Sequence, residues 1–221
     1  MITLCHAATG GSGTTLVATT RSLDSPAPTL LVDLVGDVPA MLGVPDPDRP
    51  GVVDWLSSEA PVEHLDDLLV DVTATCTVLP ATSSPVAPRP HRTEADGRRW
   101  ELLVDWLVRW AHDTGGAVTI DAGTAPVPAV AERCAQRWLV TRACYLSLRR
   151  ATRLDVRPTG VVLVVEPGRA LRRRDVETAI GAPVVAEIDW DPRVARCVDA
   201  GLLLCSRRRA PLHRSLVGPL S

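Results

Sequence analysis

A glycine-rich segment near the amino terminus carries residue types that bind phosphate. Residues 9–15 read TGGSGTT and follow a short apolar run. In loops of the form G-x-x-x-x-G-K-[ST], backbone N–H groups and the next helix cradle phosphate, a lysine reaches the outer phosphates, and a hydroxyl binds Mg²⁺. The predicted phosphate-binding residues are Gly10, Gly11, Ser12, Gly13, Thr14 and Thr15. Thr14 therefore stands where the lysine is expected.

No lysine elsewhere in the chain can replace the missing one. All 24 basic Lys+Arg positions are arginine, and the chain also lacks asparagine. The planar, forked guanidinium of arginine is not equivalent to a compact ammonium group. The sequence thus leaves two interpretations of the loop open: a functional phosphate pocket, or a strand-to-helix turn that kept its glycines after losing its ligand.

Two aspartates end apolar runs and are candidate metal ligands. Asp33 ends TLLVD and Asp121 ends AVTID. With a nucleotide bound, Thr15, Asp33 and Asp121 are the predicted Mg²⁺ site, because hydroxyl and carboxylate oxygens suit this ion. The alternative is structural: Asp121 caps the following helix, and Asp33 is a satisfied polar residue at a strand end.

Composition limits the remaining function classes. The 221 residues are 46% hydrophobic, enough for one α/β domain spanning residues 1–221. The net charge of −2 excludes a basic nucleic-acid footprint over the whole surface. Six cysteines without a C-x-x-C pair predict buried free thiols, and five scattered histidines predict no metal site. With no signal peptide or membrane span evident, we expect a cytoplasmic protein without an integral membrane segment.

Short apolar runs alternate with amphipathic stretches along the chain. This alternation predicts a doubly wound, mostly parallel sheet with helices on both faces, and ligands at the carboxyl ends of its strands. The predicted strands after the loop are 29–35, 71–81, 117–121, 137–143, 160–168 and 182–188. The predicted helices are 14–22, one that begins near Trp100 and ends at Gly115, 145–154, 172–180 and 192–200.

Four segments together resemble the deviant-Walker (ParA/MinD) superfamily of P-loop ATPases, most closely its pilus-assembly CpaE/TadZ branch. They are TGGSGTT, LLVDLVGDVPAMLGVPDPDRPGVVDWL, VTIDAG and IDWDPRVARCVDAG, in the order and at the spacing of the family motifs. The resemblance covers nearly the whole chain. It implies a P-loop NTPase fold, ATP or ADP with Mg²⁺ as ligand, and a homodimer.

The chain departs from that family at the positions that promote hydrolysis. Thr9 and Thr14 occupy the places of the two loop lysines, and Val35 falls on the second aspartate of the V-D-x-D segment, which orients the attacking water in the family. Asp37 lies nearby but matches the later G-D pair. The asparagine that often reads adenine in relatives has no counterpart. Phosphoryl transfer depends on positioning and charge stabilisation, so we expect little or no hydrolysis.

The resemblance implies a positioning or scaffold factor that does not hydrolyse nucleotide, recruited through a partner protein of a pilus, secretion or division machine at the membrane or cell pole. One alternative is an active Mg²⁺-dependent ATPase that switches between monomer and nucleotide-sandwiched dimer, with Arg21, Arg142 or another arginine of the second subunit replacing the lysines. The other is a ParA-like partition protein that binds DNA non-specifically.

Tryptophans and arginines supply candidate interaction surfaces. Trp100, Trp106 and Trp110 fall on one flank of a predicted helix, where they form core or an exposed partner interface. Arginine runs at 149–150, 172–174 and 207–209 are either solvated faces or weak contacts to DNA or anionic lipid. The carboxyl-terminal tail contains two prolines and a glycine, which argues against a membrane-binding helix.

Overall fold

An eight-stranded sheet forms the centre of the computed structural model, which describes residues 1–45, 49–81 and 97–205. The strand order is β3-β4-β2-β5-β1-β6-β7-β8, and every neighbouring pair is parallel except β3 with β4. The strands are β1 (Ile2–His6), β2 (Thr29–Asp33), β3 (Val70–Asp71), β4 (Cys76–Leu79), β5 (Ala117–Asp121), β6 (Gln136–Arg142), β7 (Gly160–Val165) and β8 (Val184–Asp189). The predicted doubly wound, mostly parallel α/β fold is confirmed.

Helices connect the parallel strands, as right-handed crossover connections require. They are α1 (Thr14–Leu23), α2 (Val38–Leu42), α3 (Val52–Leu56), α4 (His64–Asp67), α5 (Gly97–Thr114), α6 (Pro128–Glu132), α7 (Tyr145–Ala151), α8 (Arg173–Ile180) and α9 (Pro192–Asp199). The five longest, α1, α5, α7, α8 and α9, correspond to the predicted helices. Each follows an apolar periodicity of about 3.6 residues.

Helices cover both faces of the sheet. Successive side chains of each strand point to opposite faces, so each strand contributes to both packed layers. Ile2 and Leu4 of β1 pack with α3, α5 and α6 on one face. Cys5 lies on the other face, in a cluster with Val17 of α1 and Val194 of α9. β1 and β2 are consequently buried along their whole length, as parallel strands covered on both faces are.

One predicted strand is wrong in length and direction. The run 71–81 was expected to form a single buried strand, but the chain turns between β3 and β4 and the two strands pair antiparallel. The Thr73 hydroxyl accepts hydrogen bonds from the N–H groups of Thr75 (3.3 Å) and Cys76 (2.9 Å). Hydroxyl-to-backbone bonds of this kind stabilise turns, and the sequence pattern did not reveal it.

Two of the segments interpreted above, the arginine run 207–209 and the carboxyl-terminal tail from 206 onward, lie outside the described residues. Within the described ranges, no helix combines the length and hydropathy needed to cross a membrane.

The order of strands identifies where on the sheet a ligand is expected to bind. The chain moves from β1 outward to β2 and β4 on one side, and from β6 to β8 on the other, so β1 lies where the winding direction changes. Open α/β sheets bind ligands in the crevice outside the carboxyl ends at such a point. The segment that leaves β1 at this point is the glycine-rich loop.

Candidate functional site

The glycine-rich loop joins β1 to α1 through two backbone conformations that favour glycine. Gly11 has φ +70° and Gly13 has φ +90°, both in the left-handed region. L-residues with a Cβ are strained there, whereas glycine is not. Gly13 also accepts the first helical hydrogen bond, from the Val17 N–H at 2.9 Å. The geometry of the turn therefore favours glycine at positions 11 and 13, whether or not a ligand binds.

The loop borders an open cleft of about 710 Å³. A Cβ built on Gly10 or Gly13 would meet no atom within 4 Å, so the space beside both glycines is free. Residues 9–16 form one wall, and the opposite walls come from the segments around Val35, Gly123 and Ala195. The loop is not filled by its own side chains, and a cleft of this size accommodates a small-molecule ligand.

Asp33 and Asp121 are neighbours on adjacent strands, paired in register at the ends of β2 and β5. The Asp33 carboxylate accepts three backbone hydrogen bonds, from Val35 (2.8 Å), Gly36 (2.6 Å) and Val38 (3.1 Å). Burial raises the pKa of Asp33, and these three donors oppose the rise. Asp33 is fully buried and shapes the turn after β2. These bonds favour the interpretation of Asp33 as a satisfied polar residue at a strand end over its interpretation as a metal ligand.

The Asp121 carboxylate accepts fewer hydrogen bonds than that of Asp33. Its Oδ1 accepts a hydrogen bond from the Gly123 N–H at 3.1 Å, but its buried Oδ2 has no partner among the described residues. Burial raises the pKa of Asp121 to about 6; the adjacent Thr15 hydroxyl lowers it, and the charge of Asp33 raises it further. An unpaired buried carboxylate oxygen is costly unless a cation approaches it.

The Asp121 and Thr15 pair fits a magnesium ion on one side. Mg²⁺ commonly takes one or two protein oxygens and fills its other positions with water and phosphate oxygens. The structure describes no group of three His, Cys, Asp or Glu side chains placed to hold a metal by themselves. A metal bound here would accordingly depend on a phosphate ligand for the rest of its coordination.

Carboxylates dominate the charge of the cleft. Asp37 and Asp199, both exposed, line its walls, and no arginine or histidine is among its lining residues. The Asp37 side chain does not cap α2 and is exposed. A polyphosphate in this cleft would meet repulsion unless a metal ion or a cation from the rim offset it.

Thr9 and Thr14, at the positions where the family resemblance places lysines, are held inside the loop region. Thr9 Oγ1 shares hydrogen bonds with the hydroxyls of Ser12 (3.1 Å) and Ser147 (3.2 Å). Ser12 Oγ also donates to the Thr9 carbonyl at 2.8 Å. Thr14 is the first residue of α1 and is buried. Neither side chain carries a charge to the cleft.

Two arginines that were candidates to act across a dimer have partners within the chain. The Arg21 guanidinium lies 4.5 Å from the ring centroid of Trp138, and burial lowers its pKa. Arg142, the last residue of β6, donates from Nη2 to the Gly11 carbonyl and from Nη1 to Glu166 at 2.8 Å. Arg21 is thereby stacked inside its own subunit, whereas Arg142 lies at the rim of the loop.

The interface predicted from the tryptophans needs correction. Trp100 is 3% exposed and Trp106 is 5% exposed, and both belong to the core between α5 and the sheet. Trp110 is half-buried and packs against the same cluster. The 3.6-residue periodicity correctly placed these residues on one flank, but that flank faces the sheet. The core alternative is the one that the structure supports.

All six cysteines are free thiols, and three of them are buried as predicted. Cys5, Cys76 and Cys134 are buried free thiols, while Cys144 and Cys197 are partly exposed and Cys205 is exposed. Burial raises the pKa of Cys5 to about 12. His6, directly before the loop, is fully buried with neither ring nitrogen hydrogen-bonded among the described residues, and burial followed by the charge of Arg137 lowers its pKa to about 4.

Comparison with known proteins adds information on the fold. No family model matches the chain, and no curated protein matches it in sequence. The solved structures do give matches. A ParA family ATPase from Chlorobium tepidum superposes with a TM-score of 0.72 at 17% identity, covering 97% of this chain and 95% of that chain.

Two cell-division proteins match equally well. The septum site-determining protein MinD of Pyrococcus horikoshii, complexed with Mg-ADP, gives a TM-score of 0.72 at 18% identity, covering 98% of this chain and 93% of that one. MinD in the MinC:MinD complex of Aquifex aeolicus gives 0.72 at 16% identity, covering 97% and 92%. At these identities the likeness shows the fold alone, which is that of the ParA/MinD P-loop ATPases.

Some residues at this site were missed or assigned differently from the sequence. Ser147, which ties α7 to Thr9, and Glu166, which holds Arg142, were not singled out, and Arg142 was considered only as a contribution from a second subunit. A signal for the pair existed: Arg142 ends β6 and Glu166 directly follows β7. Since the carboxyl ends of adjacent parallel strands meet at one edge, opposite charges there are candidates for an ion pair.

Proposed function

We propose that this chain binds Mg²⁺-ATP or Mg²⁺-ADP at the glycine-rich loop, hydrolyses it little or not at all, and acts as a positioning or scaffold factor for a larger cellular machine. One observation carries the proposal. The cleft on the loop is open, and Thr15, which lines it, is adjacent to the buried Asp121 carboxylate, whose Oδ2 has no hydrogen-bond partner among the described residues, yet the loop that walls the cleft has no lysine.

Binding relies on the backbone of residues 10–15 and the start of α1. Helix N-termini attract anions through unpaired N–H groups and the helix dipole. Thr15 and Asp121 are the proposed metal ligands. Asp33 is retained as a support that fixes the turn beside Asp121 rather than as a ligand, because its carboxylate already accepts three backbone bonds.

Slow or absent hydrolysis follows from what the cleft lacks. The metal, when bound, supplies charge neutralisation between phosphate oxygens, but the chain must still orient a water and stabilise charge on the leaving phosphate. Val35 occupies the wall where a water-orienting carboxylate is expected from the family resemblance. Losing one preorganised donor costs about 10²–10³-fold in turnover, and this loop lacks two lysines.

The scaffold role rests on a surface beside the loop. Tyr145 and Leu146 at the start of α7 are 67% and 59% exposed, and the adjacent Ser147 is bonded to Thr9 of the loop. Large apolar side chains exposed together are typical of interaction sites. We propose that a second copy of the chain covers this surface in a homodimer.

The machine served by such a dimer is inferred from likeness alone. The structural neighbours include a MinC:MinD cell division complex and a putative plasmid partition protein. By resemblance to the CpaE/TadZ branch, we propose a protein partner from a pilus, secretion or division apparatus, with recruitment to the membrane or pole through that partner. Exposed arginines on α7 and α8 provide the surface for any weak contact to DNA or anionic lipid.

A slow ATPase is the second candidate, and Asp37 is the observation that favours it. This carboxylate is exposed in the cleft next to the position where Val35 replaces an aspartate. A carboxylate within reach of the attacking water would restore part of the missing orientation. Steady ATP turnover that disappears in Asp37→Asn but persists in Asp199→Asn would establish this alternative.

Thermal unfolding with and without millimolar Mg-ATP and Mg-ADP tests the binding half of the proposal. A ligand at 100 times its dissociation constant adds about 2.7 kcal/mol to the free energy of unfolding. We expect a rise in Tm that Thr15→Ala removes. Thr124→Ala, which deletes another hydroxyl lining the same cleft, is the matched control and should retain the shift. A wild-type protein with no shift would contradict nucleotide binding.

A further inference from the structure

Arg142, Glu166 and Arg169 form a charged cluster at the carboxyl ends of β6 and β7, beside the glycine-rich loop. Arg142 Nη1 donates to Glu166 Oε1 at 2.8 Å, and Arg169 Nε donates to Glu166 Oε2 at 2.6 Å. Arg142 Nη2 donates to the Gly11 carbonyl. Two arginines and one glutamate leave the cluster with a formal charge of +1.

The position of Arg142 relates it to the loop rather than to the bulk surface. It lines a second, smaller cleft of about 110 Å³ that shares Gly11, Ser12 and Gly13 with the larger one. Among the described residues that line these two clefts, it is the only arginine. The chain itself therefore holds a side-chain cation at the rim of the glycine-rich loop.

The hydrogen bonding of Arg142 is incomplete. Its Nε–H is shielded from solvent and has no acceptor among the described residues. Its Nη2 donates to a neutral carbonyl, a weaker acceptor than a phosphate oxygen. The side chain is 35% exposed, so a ligand in the cleft can reach it. A phosphate at the loop would supply an acceptor that the protein does not.

Glu166 keeps the arginine in place. Its side chain is only 15% exposed and binds two guanidinium groups, one with each carboxylate oxygen. Ion pairs with one shielded partner hold their geometry better than fully exposed pairs, which contribute little. The Glu166 anchor limits the entropy lost when Arg142 binds a ligand, because the side chain is already restricted.

From this arrangement we infer that Arg142, held by Glu166 in the same subunit, is the cation that contacts the outer phosphates of the bound nucleotide in place of the absent loop lysine. The inference rests on the proposed nucleotide binding and adds how phosphates are recognised. Arginine binds phosphate through a planar fork with two parallel N–H groups, which differs from the single ammonium of lysine.

If Arg142 contacts the outer phosphates, its replacement should weaken ATP binding more than AMP binding. Equilibrium binding of ATP, ADP and AMP, each with Mg²⁺, is measured by calorimetry for the wild-type chain, Arg142→Gln and Arg142→Lys. We expect Arg142→Gln to weaken ATP binding about 10-fold or more, the change that corresponds to 1.4 kcal/mol, with a much smaller change for AMP. Arg142→Lys keeps the charge and should recover part of the loss.

The matched control is Arg133→Gln. It removes the arginine that directly follows α6 from an exposed ion pair with Asp105 of α5, on the face of the sheet that these two helices cover rather than at the loop. Its nucleotide affinities should equal those of the wild type. Unfolding temperatures without ligand are compared for all variants, and Arg142→Lys provides the test if Arg142→Gln does not fold.

The outcomes separate this inference from the proposed function. Wild-type binding of ATP with an unchanged affinity in Arg142→Gln would overturn the role of Arg142 and leave nucleotide binding intact. An equal loss for ATP, ADP and AMP would make Arg142 a structural support of the loop, which also overturns the inference. Tighter binding in Arg142→Gln would show that Arg142 obstructs the site. No wild-type binding of any nucleotide would overturn both proposals.

Discussion

The proposed metal binding depends on the buried carboxylate of Asp121. Burial raises its pKa to about 6, whereas an unfolded aspartate has a pKa of about 3.9. The folded state thus binds more protons than the unfolded state between these values, and the free energy of unfolding falls as pH rises through the window. Above pH 6 the ligand-free protein carries a buried carboxylate whose Oδ2 has no hydrogen-bond partner among the described residues.

Replacing Asp121 with asparagine removes that charge. We expect Asp121→Asn to stabilise the ligand-free protein at pH 7.5 by about 1 kcal/mol, equivalent to about 2–4 °C in Tm, and to abolish the Mg-nucleotide shift. The measurement is thermal unfolding of both proteins with and without Mg-ATP. Asp199→Asn, an exposed cleft carboxylate, should change neither value. A destabilised ligand-free Asp121→Asn would contradict the unpaired state.

The lowered pKa of His6 predicts that the folded protein loses stability as the pH falls. Its folded pKa is about 4 and its unfolded value about 6.5. The unfolded state therefore binds more protons within this window, so the free energy of unfolding falls as pH decreases through it. From pH 7.5 to 5 we expect a loss of about 2 kcal/mol from His6. Urea unfolding of the wild type and His6→Leu at both pH values measures it.

The opposing contribution of Asp121 is common to both proteins and cancels in that comparison. His6→Leu should lose less stability on acidification than the wild type, by the amount attributed to His6. His112→Leu, at an exposed position on α5, should behave like the wild type. An identical pH dependence for His6→Leu and the wild type would show that His6 is not held neutral in the fold.

At the scale of elements, the turn between β1 and α1 sets the shape of the site. Gly13 needs φ +90°, whereas Gly10 has no positive φ, and an added Cβ meets nothing within 4 Å at either position. Gly13→Ala should cost about 1–2 kcal/mol through backbone strain alone. Gly10→Ala is the matched variant and should cost nothing. Chemical denaturation of the two proteins measures the difference, and equal stabilities would contradict the turn geometry.

The sequence predicted the elements well where one physical rule dominated. Apolar runs ended by Asp33 and Asp121 marked the parallel strands, and the periodicity around Trp106 marked α5. Prediction failed in two different ways. The antiparallel turn at Thr73 depends on local hydroxyl-to-backbone bonds that the apolar pattern does not reveal. The face that Trp106 buries depends on long-range packing against the sheet.

The candidate site was predictable to a similar extent. The loop residues, Thr15 and Asp121 follow from motif and strand ends, because the chemistry is local. The Arg142 and Glu166 pair spans 24 residues, and its closeness depends on two strands lying side by side. The three backbone bonds to Asp33 likewise come from the turn after β2, which the sequence pattern does not specify.

At the scale of the whole molecule, the proposed homodimer predicts an association that does not need nucleotide. Sedimentation of the wild-type protein should show a dimer with and without Mg-ATP, because the exposed Tyr145 and Leu146 are present in both states. Tyr145→Ser with Leu146→Ser should give a monomer. Val108→Ser, at another exposed apolar position, should remain dimeric. A dimer that forms only with ATP would favour the switching ATPase instead.

The central claim is that the loop binds nucleotide and leaves it intact. The most direct test mixes excess protein with a trace of ATP labelled on the γ-phosphate, in Mg²⁺, and follows both bound label and released phosphate over hours. We predict that most of the label is bound and remains ATP. Absence of bound label would contradict nucleotide binding, and rapid release of labelled phosphate would show that the chain is an ATPase.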